Sequence, residues 1–170
     1  AGAVTRAFPI PGLAEVAIGM KTVEEAVSVR NWVLERIEVA SVLDDPDARR
    51  RALTVVVVGG GFAGVETISE LEDMAREAVN RNDRLSVSDL RFVMIEAAPR
   101  IMPEVPEDRA EKVVAELRAR GIEVLLNTSL SDATDGHLQL INMTDKSPAG
   151  EMDTDTLIWT AGVAASPMLK

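Results

Sequence analysis

The chain has 170 residues, 46% of them hydrophobic and 27% charged, which suits one domain able to bury a core without staples. It contains no cysteine, so a disulfide framework, a thiol nucleophile and a thiolate metal site are excluded within this sequence, and redox chemistry needs a borrowed cofactor. With 18 basic against 28 acidic side chains the net charge is −10, which repels nucleic acid and anionic membrane surfaces and argues against a nucleic-acid partner.

Residues Ala1 to Gly19, with Pro9, Pro11, Gly12 and Gly19, read as an extended lead-in rather than a packed element. Thr22-Val23-Glu24-Glu25 has capping-box spacing, and Ala26, Val29, Val33, Ile37 and Ala40 then share one face of a helix. Asp44-Asp45-Pro46-Asp47 stops that helix, and its carboxylates read as a solvated linker in preference to a metal loop. Leu53 to Val58 is a continuous apolar and β-branched run without polar alternation, as in a strand buried on both faces of a parallel sheet. A helix is predicted from Phe62 to about Asn80, with Ile68, Leu71, Ala75 and Val79 inward. A strand at Arg91 to Glu96, a helix from Glu107 to Arg120 closed by Gly121, and a strand at Ile122 to Leu126 follow.

Beyond these, short runs near Leu130 and at Leu138 to Met143, with turn signals at Asp135-Gly136 and Pro148-Ala149-Gly150, predict a small antiparallel meander. Leu157 to Thr160 forms a last strand, leading into Ala161-Gly162. The fold class is α/β, a Rossmann-like parallel sheet with flanking helices and a small antiparallel β-meander insertion. Residues 1–52 are assigned to the lead-in and flanking helix, and 53–170 to the domain proper. With no apolar run near the roughly 20 residues of a membrane span and no signal peptide, the expected location is cytoplasmic.

Gly59-x-Gly61-x-x-Gly64 stands between the predicted buried strand and the helix, where a dinucleotide-binding fingerprint must stand to work. Gly59 allows a tight turn, Gly61 lets a pyrophosphate approach backbone N–H groups, and Gly64 permits close helix–sheet packing. The helix N-terminus carries roughly half a positive charge, which locally offsets the acidic field of the chain. Glu96 closes the next strand, where a carboxylate accepts hydrogen bonds from the adenosine ribose and favours NAD(H) over its 2′-phosphorylated form. It lies further along than the usual interval of about 20 residues, an excess that the long helix and a loop at Arg81 to Asp89 explain. Glu66, in the predicted first helical turn, has two readings, an acid favourable to the helix dipole or a side chain directed to the nicotinamide end or a basic partner. Trp159 reads as core, His137 as a surface residue with no matching ligand nearby, and Met102-Pro103 as loop packing.

The run Leu53 to Glu66, with Gly-Gly-Gly-Phe-Ala-Gly-Val-Glu, resembles type II NADH dehydrogenases of the flavoprotein class with two dinucleotide-binding domains. Trp159-Thr160-Ala161-Gly162-Val163, Lys21 to Ala26 and Ile95 to Ile101 are similar to that family too. The resemblance implies an FAD domain interrupted by an NADH domain, with electrons passing from NADH through the flavin to a membrane quinone. This chain looks like the NADH insert alone, with Gly2 to Arg6 resembling the end of the first FAD segment; NAD(H) would bind here and FAD only in the rest of the parent. By the same resemblance Gly59, Gly60, Gly61, Phe62, Ala63 and Gly64 line the pyrophosphate, Glu96 the adenosine ribose and Leu130 the adenine side. Ala161 and Gly162 approach the nicotinamide, and Glu66 is the candidate catalytic residue, orienting the nicotinamide or assisting proton transfer. The implied partners are NADH, the missing FAD domain and a quinone. The implied parent is an NADH dehydrogenase (quinone), peripheral on the cytoplasmic face of the membrane; whether it forms a homodimer stays open. Two alternatives stay open beside it: the NAD(P)H domain of a related ferredoxin, sulfide:quinone or disulfide reductase, and a noncatalytic NAD-sensing module.

Overall fold

The β-branched run Thr54–Val58 is a strand in which every residue is buried, and strands pair with it in parallel on both sides. A computed structural model describes residues 3–5 and 9–165, with 3–5 and 163–165 as backbone alone. In chain order it contains β1 (Ala3–Thr5), α1 (Leu13–Val16), β2 (Ala17–Gly19), α2 (Val23–Val42), α3 (Pro46–Ala52), β3 (Thr54–Val58), α4 (Phe62–Asn80) and β4 (Arg91–Ile95). There follow α5 (Glu107–Ala119), β5 (Glu123–Leu125), β6 (Thr128–Asp132), β7 (His137–Asn142), β8 (Pro148–Asp153), β9 (Thr156–Trp159) and β10 (Val163–Ala165).

Five strands form one parallel sheet in the order β2-β9-β3-β4-β5, and β6-β7-β8 form a separate antiparallel sheet. Alternation along the strands divides the core in two. Val55, Val57, Phe92, Met94 and Ile158 face a helical layer that supplies Val29, Val33 and Ile37 from α2, Ile68, Leu71 and Ala75 from α4, and Ala110 and Leu117 from α5. Val56, Val58, Val93, Ile95, Leu157 and Trp159 face the meander, which supplies Leu130, Leu138, Leu140 and Met152. The Rossmann-like reading with a meander insertion therefore describes the structure, as three layers: helices, parallel sheet, antiparallel sheet.

Three local expectations are corrected. The segment before α2 is packed: Leu13 is buried in the second core, the Ala133 N–H donates to the Pro11 carbonyl at 2.9 Å, and β2 is the edge strand beside β9. The acidic stretch after α2 starts α3, with Asp45 accepting from the Asp47 N–H at 2.9 Å and Pro46 in the first turn, where its missing N–H costs nothing. Pro148-Ala149-Gly150 opens β8 rather than forming a turn; the reversal lies before it, where the Lys146 N–H donates to the Asn142 carbonyl at 2.9 Å.

Candidate dinucleotide site

Because the main sheet is parallel throughout, the carboxyl ends of β3, β4 and β9 lie along one edge, and β9 lies on the opposite side of β3 from β4 and β5. This is a topological switch point, the place where open α/β sheets form a ligand crevice. The Gly59–Gly61 turn leaves β3 there, Glu96 follows β4, and Thr160-Ala161-Gly162 follow β9.

The glycines have distinct jobs. Gly59 sits at φ 113°, a conformation that L side chains rarely adopt, and a Cβ on it would stand 2.8 Å from the Ala161 nitrogen. A Cβ on Gly64 would stand 1.8 Å from the Gly59 carbonyl oxygen, so α4 packs against the turn only because that position is bare. Gly61 differs: a Cβ there would meet nothing within 4 Å. Its backbone is extended at φ −74° and ψ −178°, it precedes the first residue of α4, and no side chain caps that helix. The first-turn N–H groups of α4 thus stand at an open, uncapped helix N-terminus, a donor set suited to a pyrophosphate.

Glu96 is held against the turn. One carboxylate oxygen accepts from the Gly60 N–H at 2.5 Å and the other from the Ala98 N–H at 2.7 Å. Each oxygen keeps a second acceptor site for a hydroxyl. From β9, the Thr160 hydroxyl donates toward the Val58 and Gly59 carbonyls at 2.9 and 3.1 Å, and the Ala161 N–H reaches the Val58 carbonyl at 3.1 Å. Three strand ends are thereby stitched around the glycine turn.

Glu66 is exposed and lies beyond the first turn of α4, which contains no acidic residue, so the dipole explanation of this glutamate loses its basis. It lines a groove of about 480 Å³ between α2 and α4 together with Ala63, Met20 and Arg30. Phe62 is half exposed and Ala63 exposed at the same helix start, while Gly162 takes φ 70° after β9. Leu130 does not join them: it is 4% exposed and packed in the meander core, so its side chain can support an adenine site but offers it almost no surface. Trp159 is core, as expected. His137 lies at the surface, as expected, and pairs with two carboxylates: its Nδ1–H donates to Asp153 at 2.8 Å and Nε2 lies 3.6 Å from Glu151, both on β8. The hydrogen bond to Asp153, first among the causes, pushes its pKa up. It stands in the meander and not at the switch point.

Compared with known proteins, residues 1–170 match the model of the pyridine nucleotide-disulphide oxidoreductase family. The chain belongs to this family. Among family relatives, the type II NADH:quinone oxidoreductase NdhA of Mycobacterium tuberculosis is 34% identical over all of this chain and 36% of its own length. The type II NADH:quinone oxidoreductase Ndh of the same organism is 29% identical over 98% of this chain and again 36% of its own length. The chain thus spans about a third of the relatives it matches. A solved structure of NDH2 from Plasmodium falciparum in complex with NADH shares the fold, with a TM-score of 0.88, 24% identity, and coverage of 97% of this chain and 34% of that one.

Two features of this family member escaped the sequence reading. Thr160 was visible only as part of a strand, yet its hydroxyl ties β9 to the turn. Met102 packs in its loop, as expected, but also holds φ 47° and donates its N–H to the Gly60 carbonyl at 2.8 Å. A non-glycine residue in a left-handed conformation between a strand and a helix leaves no mark in composition or periodicity.

Proposed function

We propose that this chain is the NADH-binding portion of a FAD-dependent NADH:quinone oxidoreductase, whose parent works as a peripheral enzyme on the cytoplasmic face of a membrane. The observation that carries this reading is the open Gly61 position at the uncapped start of α4, set against the fixed carboxylate of Glu96. NADH, when bound, supplies the hydride, which the rest of the parent, carrying FAD, accepts and passes on toward quinone.

This chain's residues bind and orient. The Gly61 N–H and the first-turn N–H groups of α4 at Phe62, Ala63 and Gly64 hold the pyrophosphate, while Gly59 and Gly60 shape the turn. Glu96 accepts from the adenosine ribose and opposes a 2′-phosphate by charge. Ala161 and Gly162 border the nicotinamide, and Glu66, one step along α4, orients that end or takes part in proton transfer. Family membership and the names of the relatives support the assignment.

Calorimetric titration with NADH, ADP-ribose and NADPH tests it, with Glu96→Ala alongside. NADH and ADP-ribose are expected to bind alike, because the adenosine and pyrophosphate contacts lie within this chain; NADPH is expected to bind only once Glu96 is removed. Absence of all binding would overturn the assignment. On this reading the flavin is held by the rest of the parent, and this chain by itself is expected to show no NADH:quinone reductase activity.

A further inference from the structure

We propose that Arg100 is a positioning residue for the dinucleotide turn, acting through the backbone of Met102 to fix the direction of the Gly61 N–H; this rests on the reading of the turn as a dinucleotide site. The Arg100 guanidinium donates to two carbonyls of its own loop, Val105 at 3.0 Å and Pro103 at 2.5 Å. The Val105 N–H in turn donates to the Met102 carbonyl at 2.9 Å. The loop is therefore drawn into a closed hook with Met102 at its apex.

Met102 pays for that position with a left-handed backbone at φ 47°, which a side-chain-bearing residue keeps only when its surroundings enforce it. Its surroundings are the hook, and burial: Met102 is 8% exposed and Ile101 wholly buried. From the apex the Met102 N–H reaches the Gly60 carbonyl at 2.8 Å, while the Gly60 N–H is held by Glu96 at 2.5 Å. Both polar groups of Gly60 are thus engaged, and Ile101 fills the space beside it, 2.7 Å from where a Cβ would be.

The consequence follows from amide geometry. The Gly60 carbonyl and the Gly61 N–H belong to one planar trans peptide and point in opposite directions. Holding the carbonyl toward Met102 therefore directs the Gly61 N–H away from the loop. Between two glycines a peptide flips with little steric resistance, since neither has a Cβ to oppose it. The Arg100 hook supplies the resistance that the glycines lack. Both terminal nitrogens of Arg100 donate to the loop, which assigns the residue a role in shaping the turn.

The experiment combines calorimetry with ADP-ribose and amide hydrogen exchange by NMR, on the unaltered chain, Arg100→Gln and Arg100→Lys. Losing the forked pair of bonds is expected to weaken ADP-ribose binding about fivefold to tenfold. Lysine is expected to restore little of it, because a single ammonium does not reproduce the two-pronged guanidinium. Exchange at the Met102 amide should accelerate in both variants while exchange at Val56, in the centre of β3, stays the same. Faster Met102 exchange with unchanged affinity would reduce Arg100 to a loop-folding residue and overturn the proposal. Full rescue by lysine with Met102 exchange unchanged would show direct contact with the ligand and overturn it equally. If the unaltered chain fails to bind ADP-ribose, the dinucleotide reading itself falls, and this inference with it.

Discussion

Gly61 and Gly64, three positions apart, are both bare for a reason, and the reasons separate under mutation. In Gly64→Ala the new methyl would lie 1.8 Å from the Gly59 carbonyl oxygen, a backbone atom that cannot rotate aside. α4 must then lift off the turn, and the expected loss is about 3 kcal/mol or more of stability, at the upper end of what overpacking costs. In Gly61→Ala the methyl meets no protein atom within 4 Å and the backbone already has a φ that alanine accepts, so stability should fall by less than about 1 kcal/mol, the cost of a poorer cap. ADP-ribose affinity should nonetheless fall at least about tenfold, because the methyl would take the space that the proposed pyrophosphate site needs. Thermal unfolding and calorimetry on the two variants read this out. Gly61→Ala binding like the unaltered chain would show that the pyrophosphate does not approach there.

At the scale of elements, α4 is joined to the end of α5 by a buried carboxylate that no sequence pattern singles out. Glu72, 4% exposed, accepts from Arg76 on its own helix and from Arg120, whose guanidinium also reaches the Ser69 carbonyl at 2.8 Å. The hydrogen bond to Glu72 is the leading cause that raises the Arg120 pKa. Glu72→Ala leaves two guanidiniums without their shared partner. Because these are 41% and 25% exposed, water takes up part of the loss, and a destabilisation of about 2 kcal/mol is expected in denaturant unfolding, below that of a fully buried pair. The β7–β8 pair is expected to add a small pH-dependent contribution to stability through His137. Its sign follows from the raised pKa of His137: the protonated ring is favoured in the fold, so the contribution is complete below the ordinary value of 6.5 and fades as pH rises through the higher folded value. His137→Gln should remove that part of the stability–pH slope above pH 6.5, measured by thermal unfolding across the neutral range. What sequence could show at this scale tracked local pattern. α4 was readable from Phe62 to Asn80 because an apolar stripe runs its length and glycines precede it, and the Thr22 capping box was readable because its two partners are three residues apart. α3 was not, since only Ala52 of it is buried and no periodic face exists to read, although Asp45 and Pro46 are good opening signals. β8 exposes all but Met152 and so lacks strand alternation. The Gly60–Glu96 bond joins residues 36 apart, which spacing alone cannot reveal.

For the whole molecule, the sequence suggested a boundary near residue 52, and the structure shows what that boundary would sever. β2 completes the sheet beside β9, while α2 lays Val29, Val33, Ile37 and Ala40 into the same core as Ile68, Leu71 and Ala75 of α4. Trp32, also on α2, donates its indole N–H to the Asp155 carbonyl at 3.0 Å and lies 3.1 Å from the Thr156 hydroxyl, at the opposite end of β9 from the dinucleotide turn. Among the described residues no helix is long and apolar enough to cross a membrane, and the buried face of α2 packs into this core. Residues 53–170 expressed alone would retain every glycine of the turn, Glu96 and Thr160, yet would expose the α4 face that α2 covers and turn β9 into an edge strand. Each buried aliphatic side chain of α2 contributes about 1.5–3 kcal/mol, and three or four of them equal a large share of the net stability of a domain this size. The shortened chain is therefore expected to lose cooperative thermal unfolding and to bind a dye specific for exposed apolar surface, whereas residues 1–170 unfold in one transition. A cooperative transition for 53–170 with ADP-ribose affinity preserved would instead make α2 an accessory layer and leave the proposed dinucleotide site self-supporting; the shared core of α2 and α4 argues that the turn at the start of α4 depends on α2 for its support.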